Sequence, residues 1–157
     1  MATPGIPAGL HTVTPSLVIR DAVKAIEFYK RAFGAQEEGK FLGPDGKIMH
    51  ASIKIGDSHL YITEENLQYG SKSPQTLGGT PVTIHLYVQD ADAAFKQAVD
   101  GGCTVRMPID NQFWGDRYGS VGDPFGHTWS IATQKEQLTP DQMKKRAEEF
   151  FASQTRR

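Results

Sequence analysis

The chain has 157 residues, with 17 basic and 18 acidic side chains giving a formal charge of −1, so it offers no electrostatic footprint for nucleic acid or an anionic membrane. Its one cysteine, Cys103, excludes an internal disulfide and a cysteine-rich zinc site and fits a reducing cytoplasm. No apolar run approaches the ~20 residues that span a bilayer, and Met1-Ala2-Thr3-Pro4-Gly5 lacks the basic and long apolar regions of a secretory signal.

The first strand signal covers residues 12–19, where Val13, Leu17 and Ile19 alternate with Thr12, Thr14 and Ser16. Pro15 inside it predicts an edge or bulged position. Asp21 then caps a helix whose Ala22, Ala25, Ile26, Tyr29 and Phe33 share one face, and Gly34 supplies the stop. Strands are predicted at about 36–42, 47–55 and 59–63, with a turn at Gly43-Pro44-Asp45-Gly46. The order is βαβββ.

Residues 68–81 are rich in Gly, Ser, Pro and Thr and lack periodicity, which predicts the connection between two halves. A second strand follows, with Val82, Ile84, Leu86 and Val88 alternating with Thr83, His85 and Tyr87. Asp90 caps a helix with a stripe of Ala91, Ala94, Phe95 and Val99, ending at Gly101-Gly102. Strands are then predicted at about 104–108, 117–121 and 128–133. Finally, Thr139-Pro140-Asp141-Gln142 reads as a capped helix start, with Met143, Ala147, Phe150 and Phe151 as an apolar stripe that packs across the body or against a second subunit.

The βαβββ order is thus used twice, and the shift of 69 that takes Leu17 to Leu86 also takes Thr14 to Thr83, Asp21 to Asp90, Ala22 to Ala91, Ala25 to Ala94 and Ile62 to Ile131. An internal repeat of this kind predicts two copies of one unit paired about a pseudo-twofold axis. The expected fold class is α+β: two βαβββ repeats with mixed, curled sheets forming a shared cleft, plus a C-terminal helix. One domain over residues 1–157 is expected, with repeat one at about 12–64, a linker at 65–81, repeat two at 82–133 and the helix at 139–153.

Two stretches carry a resemblance. The run from Asp21 through Tyr29, followed by Phe33-Gly34-Ala35, resembles the first helix of the vicinal-oxygen-chelate superfamily, and Gly122-Asp123-Pro124-Phe125-Gly126-His127 resembles the turn before that superfamily's last strand. Between them, Phe113-Trp114-Gly115-Asp116-Arg117-Tyr118-Gly119 looks like the PhnB-like branch, named as glyoxalase/bleomycin-resistance proteins. The likeness spans about residues 12–133. It implies that the polar sheet faces curl into a cleft, and that enzymes of the superfamily hold a divalent metal there with His or Glu from the first and last strands of each repeat. The four equivalent positions here are Thr14, Tyr61, Thr83 and Ser130, none of them a usual divalent-metal ligand in its neutral form.

Strand alternation puts Thr14, Ser16, His50, Ser52, His59, Tyr61, Thr63, Thr83, His85, Tyr87, Thr128 and Ser130 on the face away from the helices. Among them His50, His59 and His85 are alternative donors for a divalent metal. Trp114, Arg117 and Tyr118 offer flat apolar contact and a bidentate cation for an anionic or carbonyl-bearing ligand. The competing reading pairs Asp116 with Arg117 and buries Trp114. Trp129 reads as core, His127 as a turn residue, and Cys103 as a buried, inert thiol.

Two classes of function fit these residues. One is a divalent-metal-dependent lyase, isomerase or dioxygenase acting on a small oxygenated substrate. The other is a binding protein without cofactor that holds a small molecule in the cleft through Thr14, His50, Tyr61, Thr83, His85, Trp114, Arg117, Tyr118 and Ser130. A dimeric scaffold with a vestigial cleft is the blandest alternative. Hydroxyl groups at all four ligand positions favour binding, with no metal and no catalytic residue assigned, in a cytoplasmic homodimer that engages neither nucleic acid nor membrane.

Overall fold

The computed structural model describes residues 3–156. Repeat one runs β1 (Ser16–Ile19), α1 (Ala22–Phe33), β2 (Gln36–Leu42), β3 (Ile48–Ile55) and β4 (Ser58–Glu64). Its sheet has the order β1-β4-β3-β2, with β1 parallel to β4 and the other pairs antiparallel. The first strand is shorter than the alternation over 12–19 suggests. Pro15 has no N–H to give a ladder, so pairing begins at Ser16, although the Pro15 carbonyl still accepts from Tyr61 N at 2.9 Å.

Repeat two runs β5 (Thr83–Tyr87), α3 (Ala91–Gly101), β6 (Thr104–Asn111), β7 (Asp116–Gly122) and β8 (Thr128–Gln134), in the order β5-β8-β7-β6. The repeat holds in register as well as in order. Ser16 stands opposite Tyr61 in the first sheet, and their counterparts under the shift of 69, His85 and Ser130, stand opposite each other in the second. The same correspondence governs the helix starts, where the last turn of each inner strand caps the helix. Glu64 accepts from the backbone N–H of Asp21 and Ala22 at 2.9 and 2.7 Å, and Thr133 Oγ1 accepts from Ala91 N at 2.8 Å.

The connection between repeats has more structure than its composition suggests. A 3₁₀ turn at Leu67–Tyr69 and a single helical turn, α2 (Pro74–Leu77), lie inside it. Tertiary partners hold that turn: Ser73 donates its N–H and hydroxyl to Glu65, Arg20 donates to Thr76 Oγ1 at 2.7 Å, and Gln75 donates to the Pro124 carbonyl.

The core lies between the two helices and the helix-facing sides of both sheets. Ala22, Ala25, Ile26, Phe28, Tyr29 and Ala32 of α1 are buried, and α3 contributes Ala91, Phe95 and Ala98. The helices approach closely where α3 ends, since a Cβ on Gly101 would lie 3.0 Å from Ala32 Cα. Across the junction Trp129, fully buried, packs its ring 4.4 Å from that of Phe33 and 5.3 Å from that of Tyr29. Burying side chains of this size contributes roughly 1.5–3 kcal/mol each.

The closing turn of repeat two is built around Asp123. Its Oδ1 accepts from Phe125 N and His127 N, and its Oδ2 accepts from Trp129 Nε1 at 2.9 Å and from Tyr29 Oη at 2.6 Å. His127 does more than shape the turn, because its Nε2 lies 3.1 Å from the Val18 carbonyl of repeat one. The C-terminal helix α4 (Pro140–Gln154) starts with the expected capping box at Thr139 and Gln142 but buries none of its residues fully. It is tied to the body by Arg146 and Glu136, and by Phe113 beside Phe150 and Phe151.

Candidate functional site

Both β1 and β5 are edge strands, and a cavity of about 720 Å³ is lined by β5 and by the segment that leads into β1. Repeat one supplies Leu10 to Pro15 apart from Thr12, then Phe33 at the end of α1, and the β3–β4 turn from Ile55 to Leu60; repeat two supplies every residue from Thr83 to Val88. Successive strand residues point to opposite sides. A cavity touched by six in a row therefore runs along the outer edge of β5 rather than over one face. Its walls are mainly apolar, through Leu10, Val13, Phe33, Leu60, Ile84, Leu86 and Val88, with His11, Thr14, Asp57, Ser58, His59, Thr83, His85 and Tyr87 as polar groups. That size and mixture match sites for small organic molecules.

Of the predicted ligand-binding residues, Thr14, Thr83 and His85 meet at this cavity. Tyr61 and Ser130 sit further into their sheets. Ser130 Oγ is 2.6 Å from His85 Nδ1, and Tyr61 packs its ring edge to face against His50 at 4.5 Å. Trp114 and Tyr118 continue the same face of the second sheet. His85 stacks on Tyr118 at 6.0 Å, Trp114 meets Tyr118 at 5.6 Å, and Tyr87 lies edge-on to His85 at 4.5 Å. These four rings form a continuous aromatic layer over the buried Ser130 and Ala132.

Arg117 does not join them. It alternates with Asp116 and Tyr118 along β7, so it points toward α3, where Nη2 and Nε grip the Asp92 carboxylate at 2.9 Å each. This pair raises the Arg117 pKa and lowers that of Asp92, chiefly through the hydrogen bonds between them. The anticipated Asp116–Arg117 pairing is likewise absent. Asp116, buried, instead accepts from Tyr87 Oη at 2.9 Å and Trp114 Nε1 at 3.1 Å. The Tyr87 phenol is pushed up in pKa by that bond first and by its burial second.

Two further cavity residues, His11 and Tyr87, lie outside the predicted ligand-binding set, although alternation already places Tyr87 on the polar face. The signal for Tyr87 was present in the alternation with Thr83 and His85. His11 precedes the first strand, and nothing local to it indicates a cavity wall.

The residues do not fit the metal of the superfamily's enzymes. At the four equivalent positions stand three hydroxyl side chains and a phenol, and the Ser130 hydroxyl is engaged with His85. The three histidines do not converge either: His59 Nδ1 is bound to Glu38 and His85 Nδ1 to Ser130, while His50 packs on Tyr61. Among the described residues no group of three or more His, Cys, Asp or Glu is arranged to hold a metal ion. Cys103 is buried, and burial first, then the charge of Asp123, pushes its thiol up to about 12, as an inert core cysteine requires. Among the same residues no helix is long and apolar enough to cross a membrane.

Comparison with known proteins agrees with this architecture. An uncharacterised Mycobacterium bovis protein is 46% identical over 134 residues, covering 83% of this chain and 88% of its own. The crystal structure of an Arabidopsis thaliana gene product superposes with a TM-score of 0.63 at 28% identity, over 78% of this chain and 98% of that one. The Listeria monocytogenes fosfomycin resistance protein FosX, solved as a mutant with Mn(II) and 1S,2S-dihydroxypropylphosphonic acid, shares the fold with a TM-score of 0.60 at 19% identity, over 87% of this chain and 97% of its own. The family model described as Glyoxalase/Bleomycin resistance protein/Dioxygenase superfamily matches residues 9–131, and the chain belongs to that superfamily.

Proposed function

We propose that this protein binds a small, largely apolar organic molecule in the cavity between its two repeats, without a divalent metal. The observation that carries the reading is the cavity itself: about 720 Å³ of mainly apolar wall at the repeat junction, with a few polar groups spaced around it. Thr14, Thr83 and His85 are the polar contacts we assign to the ligand. We assign the aromatic layer of Tyr118 and Trp114 over the buried Ser130, and the Tyr61–His50 pair on the first sheet, as an extension for a longer molecule. Arg117, bound to Asp92 on the other side of its strand, has no part in it.

The test is a thermal-shift and fluorescence panel of one- and two-ring aromatic compounds, run on protein dialysed against a chelator and again after addition of Mn(II), Zn(II) or Ni(II). Binding of at least one compound to the chelated protein, unchanged by metal, is expected. Binding that appears only with metal overturns the metal-free reading.

The reading includes a single functional domain and a cytoplasmic homodimer. The dimer is motivated by α4, whose Phe150 and Phe151 lie 39% and 61% exposed beside Phe113. Sedimentation at micromolar concentration checks it, and a monomer there contradicts it.

A further inference from the structure

Among the described residues, His59 is the one cavity histidine whose imidazole is held by a carboxylate. It sits near the start of β4, opposite Lys54 of β3, with its side chain only 12% exposed. Its Nδ1 lies 2.6 Å from Glu38 Oε2, and the Ser52 hydroxyl donates to the same oxygen at 3.4 Å. An ionised carboxylate can only accept hydrogen bonds, so Nδ1 carries the hydrogen of this pair. In the neutral ring Nε2 is then left with a lone pair. Among the described residues that atom has no hydrogen-bond partner, and it lies beneath the backbone at Gly9, where a Cβ would approach it to 3.7 Å. Leu10 and His11, next in the chain, are already cavity wall.

We propose that His59 Nε2 is the hydrogen-bond acceptor of the cavity and selects ligands that carry an O–H on an aromatic ring, with Glu38 as the positioning residue that fixes the tautomer. This rests on the cavity reading above and names the ligand class within it. The surrounding apolar wall favours an unsaturated ring body, and the volume accommodates two fused rings. A ligand lacking the donor leaves Nε2 desolvated and unpaired, a loss that discriminates more sharply than added apolar contact does. Asp57 and His11 also line the cavity, and neither is hydrogen-bonded to the ring.

Two measurements test the proposal on the full chain. The first compares 2-naphthol with 2-methoxynaphthalene, which has the same rings but no donor. The expected result is at least tenfold tighter binding of 2-naphthol to the wild type, a preference that collapses toward equality in His59→Leu and falls in Glu38→Gln. Equal affinity of the two compounds for the wild type overturns the role of His59 while leaving the cavity reading intact. Binding of neither compound overturns the ligand class proposed here, and the cavity reading falls with it only if no other aromatic of the panel binds. The second measurement needs no variant: the ¹⁵N shifts of the His59 ring in wild-type protein at mildly alkaline pH should show the Nδ1–H tautomer, moving toward a mixture in Glu38→Gln. An Nε2–H ring in the wild type overturns the proposal even if every variant fails to fold.

Discussion

Tyr29 donates its phenolic hydrogen to Asp123 Oδ2 at 2.6 Å, joining the first helix of repeat one to the last turn of repeat two across 94 residues of chain. Both groups are buried, and Asp123 is also the acceptor for Trp129 and for the turn's own N–H groups. Tyr29→Phe removes one donor from a buried carboxylate without opening a cavity. It should cost about 1.5–3 kcal/mol, read as a lower urea midpoint with an unchanged slope. A cost below about 0.5 kcal/mol would mean the bond adds nothing to the union of the repeats.

The same pair predicts an alkaline limit. Burial first, and the neighbouring Asp123 second, hold the Tyr29 phenol well above its ordinary pKa of 10.0. A folded pKa above the unfolded one means that the native state keeps a proton the unfolded state gives up. The resulting stability is therefore complete below about pH 10 and is lost as pH rises through the folded value. Urea titrations above pH 10 should show this decline in the wild type and a shallower one in Tyr29→Phe, whose remaining tyrosines still titrate.

Acid acts on the linker. Thr76, the Ser73 amide and hydroxyl, and Arg20 hold the Glu65 carboxyl at about 2, below its ordinary 4.5. Here the folded pKa is depressed, so the associated stability is present above about pH 4.5 and is lost as pH falls toward 2. Glu65→Gln should flatten that part of the stability profile, and amide exchange at residues 73–78 should quicken in the variant at neutral pH. Superposable acid profiles for the two proteins would show that Glu65 does not anchor the linker.

Gly115 sets the direction of the segment that delivers Trp114 and Asp116. Its φ is +97°, and a Cβ there would stand 2.6 Å from the Glu136 carbonyl oxygen, while its own carbonyl accepts from Lys135 N and Glu136 N. Gly115→Ala therefore meets both backbone strain and a backbone clash, at a cost of about 1–3 kcal/mol. The Trp114 indole should part from Asp116, giving red-shifted emission in the native state. Emission like that of the wild type would show that the segment shifts without moving the ring.

Much of this architecture was readable because each repeat obeys local rules in its own right. Asp21, Asp90 and Thr139 announce helix starts, Gly34 and Gly102 announce ends, and the shift of 69 announces the repeat, whose two sheets then share the register that sets Ser16 opposite Tyr61 and His85 opposite Ser130. What escaped depended on contacts between elements. Arg117 and Tyr118 are adjacent in sequence, yet one turns to Asp92 and the other to the aromatic layer, because β7 alternates and its neighbours differ on the two sides. The Glu38–His59 pair joins residues 21 apart on different strands and leaves no trace in spacing. The helical turn at Pro74–Leu77 exists because Glu65, Arg20 and Pro124 receive it.

The position of Thr83 gives the most direct way to close the cavity. It is exposed on the edge strand β5 and lines the cavity beside His85, so a large side chain there has room to grow without displacing core. Tryptophan suits a strand, and an exposed site tolerates the change within about 0.5 kcal/mol. Thr83→Trp should therefore keep wild-type stability while weakening binding of 2-naphthol by at least about tenfold, or 1.4 kcal/mol. Thr104→Trp, on β6 at the opposite side of the same sheet and outside the cavity, controls for the added ring. If both variants bind like the wild type, the ligand does not occupy the edge of β5. If both lose binding equally, the loss comes from the tryptophan itself. Only loss confined to Thr83→Trp puts the ligand between the repeats.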